Sequence, residues 1–243
     1  MSTSQPTWTD KSTGVVRRVK GVILRIPWIN SVARYVAQKV RDAQVTGTAS
    51  YWESRYRDGD TSGVGSYGVL GQFKAEVING FVERHHVATI IELGSGDAAQ
   101  LGLAQYPDYV GVDVSPTAVA RCRRQFAGDA TKRFFTLNEV DRYRGTYDLA
   151  LSLDVVYHLL EDEVFTDHMQ ALFSLASKYV IIYGTNYDGP GHAGHIRHHA
   201  VTDWVAAHAP EWTQIDFIKN RYPYDRKRPA ETSFADFYHF ARR

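Results

Sequence analysis

The sequence predicts an α/β protein built on a doubly wound, mostly parallel seven-stranded sheet, with a terminal antiparallel hairpin and an N-terminal helical extension. Three observations carry this expectation. Short apolar runs alternate with helical patterns from residue 87 onward, the rhythm of strand–helix units whose strands are buried on both faces. The first run ends in a glycine turn, Gly94-Ser95-Gly96, which suits a ligand site at a strand end. The last two runs, TQIDFIK and DFYHFAR, have no helical pattern between them, so they read as an antiparallel pair.

The elements follow in order. Between Gly14 and Asp42, Val15, Val19, Val22, Ile23 and Ile26, then Ile29, Val32, Val36 and Val40, recur at helical spacing, and Pro27 divides them. They give two short amphipathic helices. Arg25 breaks the apolar stretch, so the segment is not read as a signal peptide. Residues 44–71 form a polar, Gly-rich connection carrying Tyr51, Trp52, Tyr56 and Tyr67; a connection this long in a compact domain is usually functional. A helical stripe covers 69–82. Strands are expected at 87–93, 109–114, 132–137, 147–153, 178–184, 213–219 and 236–242. Helices are expected around 100–105, at 116–126 with Ser115 as N-cap and Pro116 at its first position, at 162–177 and at 202–208. The chain thus divides into a basic arm (1–43), an entry segment with its helix (44–84) and a core (85–243).

Composition bounds the function. With 44% hydrophobic and 23% charged residues, the 243-residue chain is neither collagenous nor extensively disordered. No apolar run reaches the ~18 residues of a spanning helix. A single cysteine, Cys122, excludes an internal disulfide and a cysteine-based zinc site, and fits the reducing cytoplasm. The net charge of +1 conceals an asymmetry: residues 1–42 hold eight Lys/Arg against two Asp/Glu, and the rest hold twenty against twenty-five. The basic arm is expected to dock on its own body or on a second subunit of a homodimer, with contact to an anionic membrane surface as the less favoured alternative. The mildly acidic core carries no RNA-binding motif, which argues against a nucleic-acid partner.

The strongest local signal is Glu92-Leu93-Gly94-Ser95-Gly96-Asp97-Ala98, with Asp113 ending the next strand nineteen positions after Gly94. Glycines let the backbone turn sharply beside a ligand, and a carboxylate at that distance can accept ribose hydroxyls. Two cofactors fit: a dinucleotide, or S-adenosylmethionine. The acid Glu92 at the strand end, the N-terminal extension and the polar segments after the fourth and fifth strands favour the second. Read as E-x-G-x-G-x-A, the motif resembles that of class I S-adenosylmethionine-dependent methyltransferases. The segment Tyr51–Val82 resembles the entry segment of small bacterial sugar O-methyltransferases of polysaccharide biosynthesis, including actinobacterial enzymes of methylmannose polysaccharide synthesis.

The resemblance covers residues 51–243 and implies roles. Glu92, Gly94, Ser95 and Gly96 would line the methionine part of the cofactor. Asp113 would hold the ribose, Val114 would pack near the adenine, and Asn138 or Glu139 would face the adenine edge. Tyr51, Trp52 and Tyr56 would form a lid, with Tyr56 touching the cofactor. The acceptor would be a sugar hydroxyl of a small saccharide such as a mannoside; another small-molecule hydroxyl and a non-catalytic binding module are the alternatives.

Methyl transfer needs alignment of the acceptor and removal of its proton. His158 is the natural base, with Asp154 one helical turn before it. His192, His195, His198 and His199 crowd eight positions; they either line a polar acceptor pocket, with an acid–base role for His195, or bind zinc. Asp154, Asn186 and Asp188 resemble oxygen ligands for Mg²⁺ in metal-dependent O-methyltransferases; alternatively Asp154 orients His158 or caps the next helix. Tyr187, Tyr222, Tyr224 and Asp225 could stack on and bond a sugar.

Overall fold

The computed structural model describes residues 47–243. The two arm helices, and with them the docking and membrane expectations, lie outside the described residues. Among those described, no helix is long and apolar enough to cross a membrane.

The elements run α1 (Thr48–Arg57), α2 (Gly68–Arg84), β1 (Thr89–Leu93), β2 (Asp108–Asp113), α3 (Pro116–Gln125), β3 (Lys132–Thr136), α4 (Val140–Tyr143), β4 (Tyr147–Leu153), α5 (Asp162–Leu175), β5 (Ala176–Gly184), β6 (Asn186–Pro190), β7 (Arg197–Ala200), α6 (Val201–His208), β8 (Trp212–Ile218) and β9 (Asp236–Arg242). Seven strands form one sheet in the order β3-β2-β1-β4-β5-β9-β8. β1 to β5 are parallel, and β9 pairs antiparallel with both β5 and β8. The expected doubly wound sheet with its closing antiparallel pair is therefore present.

The central strands are apolar on both faces because helices cover both. Ile90, Ile91, Leu149, Leu151, Ile181 and Ile182 are fully buried, as strands between two helical layers require. Strand order reverses at β1, where β2 lies on one side and β4 on the other. Chain connections from the strands on either side of such a point leave to opposite faces, so a crevice opens at the strand C-termini. The pairing of Leu93 with Val112 and of Glu92 with both Gly111 and Leu151 brings Glu92, Asp113 and Leu153 to that one edge. α3 starts where its sequence says it should: the Ser115 hydroxyl accepts the Ala118 N–H and Pro116 follows the cap.

Three local structures differ from the sequence expectation. The connection 44–71 contains α1, whose buried residues are Thr48, Tyr51 and Tyr56; the stripe is aromatic rather than aliphatic. The histidine-rich segment after β5 is a two-stranded hairpin, β6–β7. The expected helix near 100–105 is one 3-10 turn, Gln100–Leu103.

Candidate active site

A cavity of ≈ 540 Å³ opens at the C-terminal ends of β1, β2 and β4 and is walled by α1, Lys74 of α2 and the face of α5 that carries Val164, Asp167, His168 and Ala171. Its volume falls within the ~300–1,000 Å³ of ordinary ligand pockets. Glu92, Gly94, Ser95, Gly96, Asp113, Val114, Tyr56, Asp154 and His158 all line it, so most of the residues singled out from the sequence meet in one place.

The glycine turn forms one wall. Gly94 has φ +92° and Gly96 φ +56°, conformations that cost an L side chain. A Cβ at Gly94 would strike Val155, and one at Gly96 would strike Ser62 Oγ and the Tyr56 hydroxyl. Asp113 locks the turn from below: Oδ2 accepts the Gly96 N–H (2.8 Å) and Oδ1 accepts the Ser115 N–H (2.8 Å). Burial raises the Asp113 carboxyl to about 6, and the two backbone donors work against that rise. Glu92 is pushed up to about 7 by burial. The Tyr109 hydroxyl donates to it at 2.6 Å, and this bond and the nearby Lys74 charge pull the other way.

The wall from the entry segment was not legible in detail. Asp97 accepts the Ser62 N–H (2.9 Å), the Ser62 hydroxyl (2.7 Å) and the Tyr67 hydroxyl (2.9 Å). Glu53 of α1 accepts the Ser115 and Thr117 hydroxyls at 2.5 and 2.7 Å, tying α1 to the start of α3. At its other end, Thr48 bonds Glu161 through its hydroxyl (2.8 Å) and N–H (3.2 Å). Trp52 and Tyr56 line the cavity from α1, whereas Tyr51 stacks on His195 with ring centroids 4.9 Å apart. The expected aromatic lid is thus a helix pinned at both ends.

Past β4, Asp154 sits at φ +60°. Its Oδ2 meets Lys74 Nζ at 2.6 Å and its Oδ1 accepts the Tyr157 hydroxyl at 2.6 Å. Lys74, from α2, is 1% exposed and lies 5.4 Å from the Tyr183 ring centre. Sequence reasoning missed it, since a lone lysine on an amphipathic helix normally faces water. The helical turn expected to join Asp154 to His158 is absent: a 3-10 turn, Val156–His158, intervenes, and Asp154 holds Tyr157 instead. The His158 ring packs 4.9 Å from Trp52 and 5.4 Å from His195. Its Nδ1–H donates to the His195 carbonyl at 2.9 Å, which leaves the lone pair on Nε2. Burial holds its pKa down to about 4, so the ring is neutral at neutral pH.

Several expectations do not converge on the cavity. Asn138 is exposed on the turn after β3, and its neighbour Leu137 lines the cavity instead. His195 contributes its carbonyl and ring to the packing of His158 rather than to the cavity lining. His198 and His199 are buried, bonded to the Thr185 hydroxyl (3.1 Å) and the Leu159 carbonyl (2.8 Å). Tyr187, Tyr222, Tyr224 and Asp225 lie outside the lining.

The Mg²⁺ ligand set does not fit. Asp154 is already held by Lys74 and Tyr157. The Asn186 carbonyl oxygen accepts the Thr202 N–H and hydroxyl, at 2.9 and 3.0 Å. Asp188 accepts the Ala200 N–H at 3.0 Å. Neither lines the cavity, and a cation would have to displace the Lys74 ammonium to reach Asp154. Among the described residues no three His, Cys, Asp or Glu form a metal-holding group.

For S-adenosylmethionine the residues do fit. Ser95 and Gln100 line the cavity, and Ser95 Oγ and Gln100 Oε1, buried in its wall, have no hydrogen-bond partner among the described residues. Buried polar atoms are normally satisfied, and a polar amino-acid moiety would satisfy both. Glu92 and Asp113 suit a cationic and a hydroxyl-bearing ligand respectively.

The sheet order, the closing antiparallel pair and the cavity at the switch point define the Rossmann-like fold of class I methyltransferases. No protein-family model and no curated protein sequence matches the chain. Solved structures match at the level of fold. Magnesium protoporphyrin IX methyltransferase from Synechocystis PCC 6803, with bound S-adenosylhomocysteine, is 16% identical with a TM-score of 0.57, over 80% of this chain and 98% of that one. The N-methyltransferase NodS from Bradyrhizobium japonicum, also with S-adenosylhomocysteine, is 12% identical with a TM-score of 0.56, over 81% and 98%. The 1,6-didemethyltoxoflavin N1-methyltransferase of Burkholderia thailandensis is 19% identical with a TM-score of 0.57, over 80% and 86%.

Proposed function

We propose that the protein is an S-adenosylmethionine-dependent O-methyltransferase whose acceptor is a hydroxyl of a small neutral molecule, a short saccharide such as a mannoside first among them. The observation that carries the cofactor is the left-handed glycine turn, with φ +92° at Gly94 and +56° at Gly96, set with Glu92 and Asp113 in the cavity lining.

The acceptor class rests on what meets it past β4. His158 is a neutral imidazole with an Nε2 lone pair, fit to take a hydroxyl proton as the new bond forms. An amine acceptor would arrive as an ammonium and meet that of Lys74, whose partner carboxylate is already engaged. Trp52 puts an aromatic ring of the kind on which a sugar packs into the cavity wall, and Ser66 adds a polar group to the same lining. The protein's contribution is then alignment and proton removal, since the methyl donor supplies an already activated sulfonium. With Asp154 committed to Lys74, this chemistry is assigned without a metal ligand set. The acidic core fits a small acceptor better than a nucleic acid.

Calorimetry with S-adenosylhomocysteine, followed by tritiated-methyl transfer across a panel of mono- and oligosaccharides and small phenols, tests the reading. Binding with transfer to saccharides supports it. Transfer to phenols alone replaces the sugar with an aromatic alcohol. Binding without any turnover leaves a non-catalytic module, and no binding by folded protein discards the reading.

A further inference from the structure

A buried ammonium with spare donors is an uncommon object, and Lys74 is one. Its side chain is 1% exposed, yet it belongs to the cavity wall. Among the described residues Asp154 is its one hydrogen-bond partner, at 2.6 Å, so two of its three N–H donors have no protein acceptor. Leaving buried donors unmet is costly unless something else meets them. The position is fixed from several sides. The Tyr183 ring lies 5.4 Å from Nζ. Tyr157 holds the far oxygen of Asp154. The backbone of Gly65 comes so close that a Cβ there would lie 2.8 Å from Asp154 Oδ2. A long side chain that would normally wander is thereby pre-organised.

We infer that Lys74 is the electrostatic group of the acceptor site: its free N–H donors bond the acceptor oxygen and stabilise the negative charge that grows on it as its proton leaves. This inference rests on the O-methyltransferase reading and deepens it. A sugar hydroxyl is a far weaker acid than imidazolium, so a histidine base needs help to remove its proton. Other enzymes recruit a divalent cation for this; here a fixed ammonium stands beside the same carboxylate. In the step, the hydroxyl proton passes to His158 Nε2, giving an imidazolium. An oxygen lone pair forms the new O–CH₃ bond, and the methyl–sulfur bonding pair stays on sulfur, which becomes a neutral thioether. The imidazolium then returns its proton to water. Asp154 is a positioning residue: it holds the ammonium in place and does not touch the acceptor.

The test must separate this role from simple neutralisation of Asp154. The variants are Lys74→Met, Lys74→Arg, Asp154→Asn and the double variant Lys74→Met/Asp154→Asn, in which no buried charge is left unpaired. Each is measured for S-adenosylhomocysteine binding by calorimetry. Methyl transfer is followed to mannobiose and to a fluorinated mannobiose, whose hydroxyl beside the fluorine is more acidic. The double variant should fold, bind S-adenosylhomocysteine within about threefold of the parent, and lose about 100-fold in kcat on mannobiose. Its loss should be at least several-fold smaller on the fluorinated acceptor, which needs less help to shed its proton, and Lys74→Arg should keep more activity than Lys74→Met. A double variant that transfers at the parental rate, or one whose loss is the same for both acceptors, overturns the inference while leaving the methyltransferase reading in place. A parent protein that binds S-adenosylhomocysteine but methylates no hydroxyl removes the reading, and the inference with it.

Discussion

The Asp97 carboxylate and Ser62 are joined by two bonds across thirty-five positions of sequence: Oδ2 accepts the Ser62 N–H at 2.9 Å and Oδ1 accepts its hydroxyl at 2.7 Å. Ser62 Oγ returns one, accepting the Asp97 N–H at 3.0 Å. Asp97 follows directly on Gly96, so this knot clamps the entry segment onto the turn that would hold the cofactor. Removing it should leave the sheet intact and loosen the site.

Asp97→Ala should therefore lower affinity for S-adenosylhomocysteine by about tenfold, the order of one or two lost charge-assisted bonds, with an essentially unchanged far-ultraviolet spectrum. Calorimetry measures it. Ser62→Ala, which loses only the hydroxyl bonds, should fall between that variant and the parent. Equal affinity in all three proteins would mean that the clamp does not shape the cofactor site.

A second expectation concerns pH. The Glu92 carboxyl sits at about 7 in the folded protein, above the ordinary glutamate value near ~4.3, so folding favours its protonated form. That contribution is whole below the ordinary value and is lost as pH rises through about 7, on the order of 3.5 kcal/mol. Glu92→Gln carries no such cost. Its melting temperature should fall less than the parent's between pH 5 and pH 8, by several degrees. His158, lowered to about 4, titrates in both proteins and cancels from the difference; Asp113, raised to about 6, titrates in both as well, and only its charge coupling to Glu92 enters the difference. Parallel melting curves against pH would contradict the assignment.

What could and could not be read in advance follows from the kind of signal each feature leaves. The sheet was legible because buried strands such as TIIEL and YDLALSL must be apolar throughout. The Glu92, Gly94, Gly96 and Asp113 cluster was legible because turn glycines and strand-end acids leave a fixed spacing. Helix α1 was not, since its buried face is made of tyrosines that equally suit a loop. Lys74 was not, because its burial depends on Asp154, eighty positions away. The Asp154, Asn186 and Asp188 metal set failed for a related reason: spacing after two strands did not reveal that Thr202 and the Ala200 N–H had already taken the last two.

His158 should be the residue whose loss separates binding from turnover. His158→Ala and His158→Gln should bind S-adenosylhomocysteine within about threefold of the parent and lose ~10²–10⁴ in kcat, the usual worth of a general base. Since burial holds its pKa to about 4, the acid limb of the parental kcat profile should fall near that value and not near ~6.5. Turnover measured after exhaustive chelation should equal that of untreated protein, as the engagement of Asp154 by Lys74 requires. Retained activity in both His158 variants would take the histidine out of the mechanism, and activity restored only by added Mg²⁺ would restore the metal to it.

The last expectation concerns access. α1 covers the cavity with Thr48, Ala49, Trp52 and Tyr56, and its N-terminal end is held to the loop after β4 by Glu161. The Glu161 carboxylate accepts the Thr48 hydroxyl at 2.8 Å and the Thr48 N–H at 3.2 Å. The same hydroxyl accepts the Leu160 N–H at 3.2 Å and lies 3.0 Å from the His158 carbonyl, so one threonine gathers helix and loop. The other end of α1 is fastened separately, through Glu53 to Ser115 and Thr117. Glu161→Ala should thus free one end only. The helix would open more often without being lost, since Tyr51 and Tyr56 stay buried. Stopped-flow dissociation of S-adenosylhomocysteine should then be faster by about five- to tenfold, the kinetic equivalent of ~1–1.4 kcal/mol, while the association rate rises less. A dissociation rate equal to the parent's would place the route to the cavity somewhere other than beneath the Thr48 end of α1.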